Sequence, residues 1–261
     1  MTAAQTLRSL TGIAVVAALA GCSANPMHAM TGRIMTGHAE QHVTPEMFAM
    51  SDSRLVCASG TALEPLMASF ARVGEPSDKS LTLLWLLAGA CAEQQAWDAE
   101  MRYLRAERKA DLEAARDARS DQQRWLQLAA ERRLQSYRHA LRAYDYDASQ
   151  AEPSCPSLAT PQDEVTFLLG LMTGLQAILN DANSGALADV PRDIALQTER
   201  AAACVDNTRW AGMPDALRAS VWTLLPDSRP SPDVQPLEVL RTSSEMGVTQ
   251  GLRVAGALEV I

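Results

Sequence analysis

The dominant pattern of the chain is a helical one that runs between Gly89 and Pro153 without an intervening glycine or proline. This stretch is rich in Ala, Arg, Glu, Gln and Leu, all of which favour helix. From Trp97 onward, larger side chains recur every three or four residues, closer to an eleven-residue than to a seven-residue repeat. We therefore predict a coiled-coil-like helical arm over about 91–146. It is either one solvated rod of about 84 Å or a hairpin of two helices that meet near Ser120.

Shorter helical patterns flank this arm on both sides. Residues 53–73 repeat apolar positions at helical spacing, and Ser77 or Asp78 can cap the helix that follows. After the arm, start and stop signals predict four more helices: Pro161–Asn180, Pro191–Val205, Pro214–Leu225 and Glu238–Ile261. No segment alternates with the period of two that strands require. We therefore predict an all-α fold, an irregular helical bundle that forms a single domain over 51–261.

The first twenty-two residues read as an export signal. A polar start with Arg8 precedes an apolar stretch from Leu10 to Ala20. As a helix this stretch spans about 16 Å, roughly half of a ~30 Å hydrocarbon core, which is typical of a cleaved signal rather than a membrane span. The segment ends in a tetrapeptide that resembles the lipobox of bacterial lipoproteins: Leu19, Ala20, Gly21 and Cys22.

The lipobox resemblance implies removal of residues 1–21. Cys22 then becomes the first residue and carries a diacylglycerol on its thiol and an acyl chain such as palmitate on its amine. Several acyl chains give a lasting anchor, because each buried CH₂ contributes ~0.8 kcal/mol. Ser23 stands where an Asp commonly marks inner-membrane retention in this class. The resemblance therefore implies a lipid-anchored envelope protein at the outer membrane, facing the periplasm.

The remaining cysteines are four in number: Cys57, Cys91, Cys155 and Cys204. Export would place them in an oxidising compartment, where an even number indicates disulfides. Three pairings are possible. We favour Cys57–Cys91 with Cys155–Cys204, because each bond then joins neighbouring elements on one side of the arm. Chain entropy predicts about 4 kcal/mol of stabilisation for each bond.

Residues 22–50 have the composition of a tether with an unusual supply of metal ligands. Proline and glycine interrupt the segment, and no apolar period is sustained. Thioether and imidazole groups together suit copper, with sulfur preferring Cu(I). The candidate ligands are Met27, His28, Met30, Met35, His38 and His42. The alternative interpretation is a flexible leash in which methionine is a pliable hydrophobic residue.

Charge is unevenly distributed along the chain. The 261 residues carry 31 acidic and 23 basic side chains, and a net charge of −8 argues against nucleic acid as a partner. Residues 98–142, however, contain eleven basic and eight acidic side chains. We predict that this arm docks a protein partner in the envelope, an acidic one, or phosphate-bearing polymers; the candidate residues are Arg105, Arg108, Arg116 and Arg119. The alternative is a solvated face stabilised by pairs one turn apart.

Catalytic patterns are sparse. His139 is the one histidine beyond the tether, which disfavours a catalytic triad or a multi-histidine metal site in the folded body. The stretch from Asp181 to Arg192 fails the calcium-loop pattern, because it lacks the required glycine and the final glutamate. Two carboxylate pairs, Asp163 with Glu164 and Asp145 with Asp147, leave glycoside chemistry open. The sequence thus favours a non-catalytic adaptor or accessory subunit; copper binding, or an enzyme acting on envelope polymers, are the alternatives.

Overall fold

The computed structural model describes residues 26–38, 42, 46, 50–70, 77–150 and 152–259. Over these residues the chain forms nine α-helices and no strand, so the predicted all-α class is confirmed. The helices are α1 (Pro26–His38), α2 (Ser53–Phe70), α3 (Asp78–Arg108), α4 (Leu112–Ala143), α5 (Pro161–Ser184), α6 (Ile194–Ala202), α7 (Met213–Leu224), α8 (Pro236–Gln250) and α9 (Val254–Glu259).

Helices α3 and α4 form a long hairpin. The N-cap of α3 is Ser77, whose hydroxyl accepts a hydrogen bond from the backbone N–H of Ser80 at 3.1 Å. The hairpin turns at residues 109–111. The predicted turn near Ser120 is therefore wrong, as is the alternative of a single rod.

The turn is built without glycine or proline, which explains why it was missed. Ala110 adopts a left-handed φ of 54°, and the N–H of Asp111 reaches back to the carbonyl of Ala106 at 3.0 Å. Asp111 then caps α4 by accepting a hydrogen bond from the N–H of Ala114 at 3.1 Å. The arm also begins earlier than predicted, because Gly89 lies inside α3 rather than before a new helix.

The buried side chains form two separate cores. The main core lies between α4 and the helices that follow it, and its largest fully buried apolar residues are Phe167, Leu168, Leu171, Met213 and Leu217. A smaller core joins α2 to the first turns of α3, and contains Leu81, Leu84 and Leu87 packed against Val56 and Leu63. Helix α2 is therefore held by α3 rather than by the main core.

Both predicted disulfides are confirmed, with Cα–Cα separations of 5.1 Å for Cys57–Cys91 and 5.4 Å for Cys155–Cys204. These separations lie within the ordinary range for a disulfide. The first bond joins α2 to the middle of α3. The second joins the segment between α4 and α5 to the residues that follow α6.

Helix α5 is the one helix in the described ranges that is long and apolar enough to cross a membrane. It has 24 residues, four more at its C-terminal end than the sequence predicts, and 56% of its most apolar window is buried within the protein. Its glycines lie against α4: a Cβ on Gly170 would overlap that of Ala140, and one on Gly174 would lie 2.7 Å from a ring carbon of Tyr137. This packing is typical of a core helix.

A buried arginine connects α3, α4 and α5. The side chain of Arg133 is 4% exposed, forms an ion pair with Glu93 of α3 and donates a hydrogen bond to Gln176 of α5. Space for it is left by Gly89, where an added Cβ would lie 2.7 Å from the Cγ of Arg133. The Nε of Arg133 has no hydrogen-bond partner among the described residues. This network adds a charged connection between the hairpin and α5 to the apolar packing of α4 in the main core.

Three other elements differ from the sequence predictions. Helix α6 is shorter than predicted, Ile194–Ala202 instead of Pro191–Val205. Helix α1 occupies 26–38, so the proposed tether contains a regular element despite Gly32 and Gly37. The predicted C-terminal helix is broken into α8 and α9 at Gly251, which takes a left-handed φ of 77°. Glycine adopts this conformation without strain, which makes it a natural C-cap.

Candidate functional site

The outer half of the hairpin packs through alanines. Ala96 and Ala99 of α3 are 0% exposed, and Ala106 nearer the tip is 7% exposed. Ala115 and Ala118 are the buried residues of the facing part of α4. Small side chains let two helices approach closely, so this part of the hairpin needs no large residue in its seam.

The larger apolar side chains of α3 consequently point away from α4. Trp97 is 58% exposed, Met101 48% and Leu104 41%, and their spacing of four and three residues places them on one helix face. We call these three residues the apolar stripe. The sequence pattern detected this stripe, yet the structure places it in solvent rather than in a seam. Isolated exposed apolar residues are common on proteins, whereas three in a row on a projecting helix are not.

All four predicted docking arginines are exposed. Arg119 is partly engaged, since its Nη1 donates to the side-chain oxygen of Gln122 at 2.6 Å. Within the described part of the chain, no ion pair involves Arg105, Arg108 or Arg116. Helical spacing places Arg105 beside the apolar stripe and Arg108 one turn beyond Leu104.

The positive excess of the arm lies at its base and not at its tip. Residues 98–124 contain seven basic and seven acidic side chains, whereas residues 125–142 contain four arginines and one glutamate. Two of those four arginines are already paired, Arg133 with Glu93 and Arg142 with Asp78 at 3.2 Å. The net positive charge of residues 98–142 suggested a uniformly positive docking surface. The hairpin does not have one.

A cleft of about 440 Å³ lies between α2, α3 and α4, on the side of the smaller core. Its polar lining comes from Thr61 and Glu64 on α2 and from Glu131, Arg132 and Gln135 on α4. Trp85 and Leu128 supply apolar wall. Ligand pockets in proteins commonly measure about 300–1,000 Å³, so this cleft is large enough for a small molecule.

The walls of the cleft are fixed by three close contacts. A Cβ on Gly60 would lie 2.8 Å from the backbone nitrogen of Ala88, so α2 and α3 are nearly in backbone contact there. The Cys57–Cys91 disulfide lies one turn away along α2. Arg132 donates from Nη1 to the carbonyl of Ala88 at 2.9 Å and fixes α4 against α3. The cleft is thus preformed.

Two of the charged groups in the cleft, Glu64 and Arg132, are partly desolvated. Burial raises the pKa of the Glu64 carboxyl, and the neighbouring Arg132 guanidinium only partly opposes this rise. Burial also lowers the pKa of Arg132, with Glu64 and Glu131 opposing the change. Among the described residues no hydrogen bond or ion pair involves the Glu64 carboxylate, so an acceptor faces the cleft without a donor.

Sequence reasoning missed this cleft entirely. Glu64 and Arg132 lie far apart along the chain, on different helices, and neither belongs to a recognisable motif. A glycine inside α2 and the disulfide were the available signals of a close approach between α2 and α3. Neither signal indicates which polar residues of α4 complete the site.

The predicted copper ligands lie on or near α1. Met27 and His28 are in its first turn, while Met30, Met35 and His38 follow along the helix. The side chains of Met30, Met35, His38 and His42 are exposed, and the rings of His38 and His42 have centroids 5.1 Å apart. In the described part of the chain no group of three or more His, Cys, Asp or Glu residues could hold a metal ion.

The carboxylate pairs proposed from the sequence have structural partners. Asp163 closes the capping box of α5 with Thr160 and pairs with Lys79 at 2.6 Å. Glu164 accepts hydrogen bonds from Arg209 at 2.7 Å and from the indole of Trp210 at 2.6 Å.

The second pair and the remaining candidates also have local contacts. Asp147 accepts the hydroxyl of Ser149 at 2.6 Å, and Asp145 takes a positive φ of 49° in the turn after α4. Asp181 accepts the backbone N–H groups of Ala188 at 2.8 Å and Val190 at 3.1 Å, which organises the loop considered for calcium.

His139 is half-buried and contacts Asp78, with 2.6 Å between Nδ1 and the carboxylate oxygen. Burial lowers the pKa of His139, and the hydrogen bond to Asp78 opposes this change. The pair links α4 to the first turn of α3. No further catalytic partner accompanies it among the described residues.

The predicted lipid-attachment residue, Cys22, and the signal segment before it lie outside the described residues. Comparison with protein-family models, with curated proteins and with solved structures finds no match to this chain.

Proposed function

We propose that this protein is a lipid-anchored adaptor or accessory subunit of an envelope complex, and that its α3–α4 hairpin binds a helix of a partner protein. The observation that carries the proposal is the apolar stripe of Trp97, Met101 and Leu104, which projects into solvent beside unpaired arginines. Exposed apolar surface of this kind marks interaction sites.

The edges of the stripe indicate what the partner resembles. Arg105 borders it on one side, and helical spacing places Glu100 and Glu107 on the other. An apolar seam with charged edges is the arrangement by which one amphipathic helix selects another. The matching partner is an amphipathic helix whose acidic edge meets Arg105 and Arg108. Arg116 and Arg119 are on α4, where they would contact flanking parts of the partner.

The anchor rests on the lipobox resemblance at Cys22. Acylation at this residue would hold the folded body near the membrane by way of residues 23–50. The proposal therefore joins the anchor, the projecting hairpin and the exposed stripe in one function.

Copurification from solubilised envelopes tests the proposal. Replacing Trp97, Met101 and Leu104 by glutamine is expected to reduce the recovered partner at least tenfold, because buried aromatic anchors contribute ~2 kcal/mol or more each. A Cys22→Ser variant is expected to lose palmitate labelling and to leave the membrane fraction.

The matched control replaces three exposed leucines elsewhere, Leu187, Leu196 and Leu237, by glutamine. This control is expected to keep the partner. An unchanged partner set in the stripe variant would overturn docking through the hairpin. Light scattering on the purified chain shows whether the apolar stripe binds a different protein or a second copy of this chain. A dimer that is lost in the stripe variant would identify a second copy as the binding partner.

A second candidate function is copper binding, favoured by the close approach of the His38 and His42 rings, 5.1 Å between centroids. Met35 precedes His38 by three residues on α1 and therefore shares its face. Imidazole with a thioether is a ligand set for copper. A site of this kind would be open to solvent, as is usual for sites that exchange metal with a partner.

Competition titration of Cu(I) against the full chain tests this candidate. We expect the double variant His38→Ala with His42→Ala to bind Cu(I) at least tenfold more weakly than the unmodified chain. Met101→Leu, which removes an exposed thioether outside the segment, is the control and is expected to change nothing. Equal affinity in the double variant, or no binding tighter than millimolar in the unmodified chain, would rule the site out.

A further inference from the structure

We propose that the cleft between α2, α3 and α4 is a binding site for a short neutral saccharide, with Trp85 as the stacking platform and Glu64, Arg132 and Gln135 as the polar contacts. The site is separate from the apolar stripe, and the proposal does not depend on the adaptor function. It follows from three properties of the cleft: fixed walls, unused hydrogen-bonding capacity and a lining that carries charges of both signs.

The fixed walls of the cleft reduce the conformational entropy that the protein would lose on binding a ligand. The backbone contact of Gly60 with Ala88, the disulfide and the hydrogen bond from Arg132 hold three helices around about 440 Å³ before any ligand arrives. Preformed sites lose less conformational entropy on binding than sites that must be ordered. A gap of this size between tightly fixed helices is therefore a binding feature rather than a packing defect.

The unused hydrogen-bonding capacity points to a ligand with both donors and acceptors. Glu64 is a half-buried acceptor without a protein donor among the described residues, and its desolvation raises its pKa. Arg132 uses one of its five donors on Ala88, and Gln135 adds an amide that can donate and accept. A ligand rich in hydroxyl groups can satisfy all three, because each hydroxyl both donates and accepts.

The presence of both positive and negative groups in the lining favours a neutral saccharide over ionic ligands. An anion such as phosphate would pair with Arg132 but would be repelled by Glu64 and Glu131. An ammonium ligand would pair with the two carboxylates but would be repelled by Arg132. A neutral ring avoids both repulsions, and its apolar face can lie against the indole of Trp85.

Calorimetry on the full chain tests the assignment with three kinds of probe. These are neutral disaccharides (N,N′-diacetylchitobiose, cellobiose and maltose), spermidine as a cation, and inorganic phosphate as an anion. We expect saturable binding of at least one disaccharide and none of spermidine or phosphate. Glu64→Gln is expected to weaken that binding at least tenfold, and Trp85→Leu to weaken it similarly, because it keeps an apolar side chain but removes the aromatic ring.

Glu64→Gln also separates binding from folding. Because the carboxylate is desolvated, removing its charge is not expected to destabilise the protein. The matched controls, Glu100→Gln and the triple stripe variant, are expected to bind the disaccharide as the unmodified chain does. Absence of binding by all three disaccharides, tighter binding of spermidine or phosphate, or unchanged affinity in Glu64→Gln would overturn the proposal. Loss of the partner in the stripe variant with intact sugar binding would leave both proposals standing.

Discussion

Replacing Arg133 by methionine is expected to lower the free energy of unfolding by about 3–5 kcal/mol, the usual cost of breaking a buried ion pair from one side. The substitution leaves Glu93, whose side chain is 17% exposed, without its cation. It also removes the hydrogen bond to Gln176, which connects the hairpin to α5. Urea unfolding of the chain, made soluble by Cys22→Ser, measures the change.

Two companion variants make the Arg133 result specific. Arg138→Met removes an exposed arginine from the same helix and is expected to change stability by less than about 0.5 kcal/mol. A double variant, Arg133→Met with Glu93→Met, is expected to recover most of the loss, because apolar residues of similar volume can replace a buried pair. A loss below about 1 kcal/mol in the single variant would contradict the burial that the structure assigns to Arg133.

Removing the Cys155–Cys204 disulfide by serine substitution is expected to lower the free energy of global unfolding by about 4 kcal/mol. This bond closes a loop of 49 residues that contains α5, whose Phe167, Leu168 and Leu171 are fully buried in the main core. Without the bond, the unfolded chain gains the conformational entropy of this loop. Because the loop folds together with the main core, the gain lowers the free energy of global unfolding. Denaturant unfolding with and without the bond measures the effect.

The same substitution at Cys57 and Cys91 serves as the comparison. That bond closes a loop of similar length, 34 residues, but it holds α2 against the smaller core. We expect the loss there to appear as faster hydrogen exchange of the α2 amides, with little change in the global transition. If instead both pairs lowered global stability equally, the division into two cores would be wrong.

Local chemistry made much of the fold predictable from the sequence. Thr160 and Asp163 form the predicted capping box, and Ser77 caps α3 as one of two predicted residues. Both disulfides pair as favoured, because each bond joins segments on the same side of the hairpin turn along the chain. The caps depend on a few neighbouring residues, and the disulfides on a choice among three pairings. Both can be predicted from the sequence.

What escaped prediction depends on contacts between distant residues. At the turn, Ala110 adopts a left-handed backbone conformation. The surrounding packing imposes this conformation, and no residue in the local sequence indicates it. The burial of Arg133 depends on Glu93 and Gln176, and nothing near Arg133 in the sequence shows that its partners lie on two other helices. The cleft at Glu64 likewise requires the final packing of α2, α3 and α4.

The apolar stripe shows a different limit. The sequence showed its spacing but not the direction in which it points, because that depends on Ala96 and Ala99 filling the space between α3 and α4. A close-packed alanine interface excludes larger side chains from between the helices. Periodicity thus located a helix face of consequence without revealing whether it faced the protein or the solvent.

The position of the Cys57–Cys91 bond determines how a pull on the N-terminus would travel through the molecule. Tension along the chain passes from α2 through the disulfide into the middle of α3, and bypasses the end of α2 and residues 71–77. The load then enters a long helix clamped along its length by α4. A membrane-tethered body would therefore resist stretching through a covalent bond, and the end of α2 with residues 71–77 would carry no load.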